Sequence, residues 1–84
     1  MSKRHKLLER LKRMPRDFTF QEARTLLESF GYAMSMGGKT SGSRVKFHLG
    51  KKVFLMHKPH PRKELLEYQI KELIAELKEE GFYE

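Results

Sequence analysis

Eighty-four residues, a net charge of +7 and no cysteine describe one small domain with a modest core, and exclude a disulfide framework or a thiolate metal site. No apolar run approaches the roughly 20 residues needed to cross a bilayer, and no signal-peptide core follows the basic start Met1-Ser2-Lys3-Arg4-His5-Lys6, so a soluble, cytoplasmic protein is expected. Residues 1–61 carry 14 Lys/Arg against 4 Asp/Glu, whereas residues 62–84 carry 4 against 7, a distribution that suits a nucleic-acid surface better than evenly spread solubilising charge does.

Leu7, Leu8, Leu11 and Met14 follow helical spacing, predicting a basic amphipathic helix over residues 3–13 that Pro15 helps to end. Thr19 and Glu22 have capping-box spacing, and Phe20, Ala23, Leu26, Leu27 and Phe30 give a second helix its apolar face. Gly31 is placed as its C′ residue. The period then changes. Residues 32–36 read as a first strand, followed by a glycine- and hydroxyl-rich loop at 37–43. Residues 44–49 alternate, with Val45, Phe47 and Leu49 on one side and Arg44, Lys46 and His48 on the other. Gly50-Lys51 makes a tight hairpin into a third strand over 53–57. Pro61 suits the first turn of a long final helix, whose buried stripe is Leu66, Ile70, Leu73, Ile74 and Leu77 and whose stop is Gly81. The order α-α-β-β-β-α gives an α+β fold, a three-stranded antiparallel sheet backed by helices. The whole chain, 1–84, reads as a single domain without repeats or linker.

The chemistry-bearing residues gather between positions 37 and 61. Gly38-Lys39-Thr40 imitates the end of a phosphate-binding P-loop, but that motif needs a glycine where this chain has Ala33, and a helix where it has a strand. His57 and His60 straddle Pro59 with no carboxylate close in sequence to complete a metal-ligand set, so neither metal nor cofactor is expected. Phosphate chemistry fits better. His60, placed just before the final helix, would share an anion with that helix's N-terminus. An imidazole of either histidine can act as a base near neutral pH, and Arg44 can grip phosphate oxygens bidentately. Lys39 and Lys58 would add charge. Each histidine also has an ordinary structural reading, as a strand-end or turn residue. Alternation does not decide whether Val53, Leu55 and His57 or Phe54, Met56 and Lys58 face solvent.

The chain also resembles a known family. Asp17-Phe18-Thr19, Phe30-Gly31-Tyr32, Gly42-Ser43-Arg44-Val45 and His57-Lys58-Pro59-His60-Pro61, in this order, are similar to the HicA toxins, small mRNA interferases of toxin–antitoxin pairs. The resemblance covers roughly residues 16–82 and makes residues 1–15 an N-terminal basic helix extension. It implies a fold like a double-stranded-RNA-binding domain, mRNA as substrate, cleavage without a metal, and a HicB-type antitoxin as partner. The candidate catalytic residues are then His57, His60 and Arg44, and the candidate RNA contacts are Lys39, Ser43, Arg44, Lys46, His48 and Lys58. One departure stands out: similar proteins carry a catalytic histidine directly after the Gly-Ser pair, where this chain has Arg44. Arginine stays protonated and is a poor base. Either His57 or His60 takes over the chemistry, or the chain binds RNA without efficient cleavage. A third reading is a protein-interaction domain that uses Tyr68, Tyr83 and the final helix.

Overall fold

The computed structural model describes residues 3–36, 44–59 and 62–83. Its elements run α1 (Lys3–Lys12), α2 (Phe20–Ser29), β1 (Ala33–Met36), β2 (Arg44–Leu49), β3 (Lys52–His57) and α3 (Glu67–Glu79). The strands form one antiparallel sheet in the order β1-β2-β3. This is the α-α-β-β-β-α arrangement read from the sequence, consistent with a double-stranded-RNA-binding-domain-like fold.

The helix boundaries follow local chemistry where the chain supplies it. Thr19 caps α2 through a complete capping box: its hydroxyl accepts from the Glu22 N–H at 3.1 Å, and the Glu22 carboxylate accepts from the Thr19 N–H at 2.9 Å. Gly31 and Gly81 follow α2 and α3 with φ of +105° and +81°, the left-handed C′ conformation that glycine adopts without strain. Helix α1 stops at Lys12, and Met14 lies outside it, exposed and with a φ of +52°. The expected helical role for Met14 is thus corrected. Its place before Pro15 disfavours α geometry.

The final helix departs most from expectation. It starts at Glu67 rather than near Pro61, and Pro61 itself lies outside the described residues. The stretch before the helix runs extended and pairs with the entry to α2. The Phe20 N–H donates to the Lys63 carbonyl at 3.0 Å and the Leu65 N–H to the Phe18 carbonyl at 2.8 Å, around a Thr19–Glu64 bridge. Long-range backbone pairing thus replaces a local helical turn. In consequence Leu65 is buried, while Leu66, expected in the core stripe, is exposed.

One face of the sheet is covered and the other is open. Val45, Phe47 and Met56 are buried against the helices, and the Phe20 and Phe47 rings lie 6.3 Å apart. Lys52 also reaches to the covered side, where its ammonium meets Glu76 and Glu79 of α3 and its C-cap Glu80 at 3.4, 2.8 and 2.8 Å. Hydrogen bonds to Glu79 and Glu80 raise its pKa above the ordinary lysine value. Tyr32, next to β1, is buried and donates to the buried Glu76 carboxylate at 2.7 Å. Its pKa is raised by burial first and by that hydrogen bond second. Helix α1 buries Leu7, Leu8 and Leu11, packing chiefly on α2 and also on α3.

Candidate functional site

The open face of the sheet assembles the site. Register places Arg44 of β2 directly opposite His57 of β3, and directly opposed residues in an antiparallel pair share a face, with Cα atoms about 5 Å apart. Both side chains are exposed. Among the described residues, neither the guanidinium nor the imidazole has a hydrogen-bond or ion-pair partner, so both remain available to a ligand. The question left open by alternation is thereby settled: Val53, Leu55 and His57 face solvent, and Met56 turns into the core.

The face continues along β2. Lys46 is exposed opposite Leu55, and His48 lies opposite Val53, with its Nε2 2.9 Å from the Ser35 hydroxyl of β1. Leu55 and Val53, 51% and 46% exposed, form an apolar flank beside the cations. Lys58 stands apart from this face. One residue beyond His57, its ammonium lies 6.0 Å from the Phe20 ring at the start of α2, so it borders the site's edge. Lys39, Ser43 and His60 lie outside the described residues. The argument that placed His60 at the N-terminus of the last helix is corrected, because that helix begins at Glu67.

A residue missed in the sequence holds His57 in place. Gln69, buried in the first turn of α3, donates its amide to the His57 carbonyl at 2.7 Å and accepts from the Leu66 N–H at 2.9 Å. The end of β3 is therefore tied to the start of α3. The usual signal, a hydroxyl or carboxylate residue three positions before the glutamine, is absent because Leu66 stands there. Of the residues suggested for protein contact, Tyr83 is half-buried between the Lys12 and Lys78 ammonium groups, at 5.3 and 5.1 Å. Tyr68 is exposed. Among the described residues no group of three or more His, Asp or Glu is placed to hold a metal ion, and no helix is long and apolar enough to cross a membrane.

The family model described as "HicA toxin of bacterial toxin-antitoxin" matches residues 20–82, which span the second helix, the sheet and the last helix. The chain belongs to the HicA toxin family. Helix α1 precedes the matched stretch. No curated protein and no solved structure matches the chain. As a HicA toxin it is the toxin of a toxin–antitoxin system, whose partner is an antitoxin.

Proposed function

We propose that this HicA toxin is an endoribonuclease that cleaves mRNA without a metal, through the Arg44–His57 pair, and that a HicB-type antitoxin neutralises it by covering the open face of the sheet. The observation that carries the reading is the cross-strand opposition of Arg44 and His57, both exposed and unpartnered among the described residues. Lys46, His48 and Lys58 would hold neighbouring phosphates. Lys39 and Ser43 are proposed as further contacts on the sequence alone.

In the proposed reaction the His57 imidazole removes the proton from an RNA 2′-hydroxyl. The 2′-oxygen attacks its own phosphorus, and the bond to the 5′-oxygen breaks. A second acid, for which His60 is the candidate, supplies the proton that the departing 5′-oxygen needs. The products are a 2′,3′-cyclic phosphate and a 5′-hydroxyl. Arg44 stabilises the charge gathering on the phosphoryl oxygens. DNA lacks the attacking hydroxyl and is spared.

Purified protein incubated with RNA in EDTA tests this directly. Wild type is expected to cleave, with His57→Ala slower by roughly 10²–10⁴-fold and Arg44→Ala by roughly 10²–10³-fold. Cleavage that needs magnesium, or that survives His57→Ala unchanged, removes the mechanism. A second reading is favoured by one observation: the position after Gly42-Ser43 holds an arginine, a poor base. In that reading the chain binds RNA without cutting it: RNA stays intact in the EDTA incubation, binding is salt-sensitive, and expression causes no growth arrest.

A further inference from the structure

A cavity of ≈ 480 Å³ opens where β2 begins and β3 ends, on the covered side of the sheet. Its volume falls within the range of about 300–1,000 Å³ that accommodates small organic ligands. Phe20, Met34, Val45 and Pro59 contribute its apolar wall. Among the described residues, Arg24, Lys58, Arg62 and Lys63 line it as cations and no carboxylate does. Two of these cations are partly engaged: the Arg24 guanidinium meets Glu28 at 3.2 Å and the Arg62 Nε donates to the Glu64 carbonyl at 3.1 Å. The Lys58 and Lys63 ammonium groups have no ion-pair partner among the described residues.

The cavity and the candidate site lie at the same end of the sheet, on its opposite faces. Val45 follows Arg44 and Lys58 follows His57, and because successive side chains of a strand point to opposite faces, only the ends of β2 and β3 separate the two. An apolar wall to which the largely buried Phe20 contributes, lined by cations and, among the described residues, by no carboxylate, matches a flat base carried between phosphates. It does not match a cationic or purely aliphatic ligand.

We propose that this cavity is a nucleotide subsite. It receives one unpaired base of an RNA strand that passes around this end of the sheet from the phosphate held at Arg44 and His57, while Lys58, Arg62 and Lys63 neutralise the phosphates flanking that base. The inference rests on the nuclease reading above, and it adds that the substrate is single-stranded at the cut, because a base held in a duplex cannot enter.

The test is fluorescence anisotropy with a short single-stranded RNA made wholly 2′-O-methyl, so that it cannot be cut, and a series carrying one abasic residue at each position in turn. One position is expected to lose about tenfold in affinity, the scale of a single base–aromatic contact, with its neighbours nearly unaffected. Arg62→Ala/Lys63→Ala, both exposed positions, is expected to weaken every member of the series and to reduce the dependence of log K on log salt by about 1.4, for two lost phosphate contacts. A flat abasic series overturns the subsite. So does a double variant that binds RNA as wild type does yet escapes the antitoxin, since the cavity then serves a protein. Cleavage of unmodified RNA is scored in parallel. Normal, His57-dependent cutting with a flat series rejects the subsite alone. Absent cutting with one sensitive position rejects the nuclease and keeps the base-binding cavity.

Discussion

At position 44 stands a guanidinium, which can hold a phosphate but does not readily take a proton. Arg44→His is therefore expected to set two imidazoles opposite each other and to raise RNA cleavage near neutral pH. The gain is read from initial rates in EDTA, wild type against Arg44→His. No gain in rate would show that position 44 contributes charge only. Gln69 acts through His57 and touches no substrate in the proposed reaction. Gln69→Leu strands the His57 carbonyl and the Leu66 N–H, at a cost of about 1–3 kcal/mol in denaturant unfolding. Loosening the end of β3 should also lower kcat by up to about 100-fold without shifting the pH profile. An unchanged kcat in a folded Gln69→Leu protein would limit Gln69 to stability.

Among the elements, the hairpin of β2 and β3 matters most to the site, and its register was more legible than side-chain alternation suggested. A turn at Gly50-Lys51 sets Leu49 opposite Lys52, and counting five residues back along each strand sets Arg44 opposite His57. Alternation alone failed on β3 because Val53 and Leu55 are as apolar as Phe54 and Met56, so hydrophobicity does not mark its inner side. The start of α3 was illegible for a different reason: residues 62–66 are held extended by backbone pairing with Phe18 and Phe20, a contact made across more than forty residues of chain. Pro61 signals a helix start only in the absence of such a partner. Arg62 and Lys63, which line the cavity, belong to this same stretch before the helix, so no sequence signal marks them. Helix α1 was read correctly as amphipathic, and its burial gives it a structural role: Leu11 is fully buried. Leu11→Ala is expected to cost about 2–5 kcal/mol in chemical unfolding, although α1 lies outside the matched stretch. A loss well under 1 kcal/mol would mean that α1 is loosely attached.

Across the whole molecule, Tyr32 and Lys52 link the sheet to α3 through Glu76. Both hold their protons more tightly in the fold than in the unfolded chain. The stability they add is thus fully present below their ordinary values of about 10 and 10.4, and is lost as pH rises past them. The melting temperature is expected to fall steeply above about pH 10. Tyr32→Phe should lower stability by about 1–3 kcal/mol at neutral pH and flatten part of the alkaline fall. A Tyr32→Phe protein with the wild-type alkaline profile would contradict this.

Because every helix backs one side of the sheet, the two sides answer to different pressures. A selection for cells that survive expression of this toxin should therefore yield escape mutants of two kinds. Those altered at Arg44, Lys46 or His57 would accumulate to normal levels, still folded but harmless. Those altered at Leu11, Phe47 or Leu73 would disappear through proteolysis, and immunoblots of the survivors would sort one kind from the other.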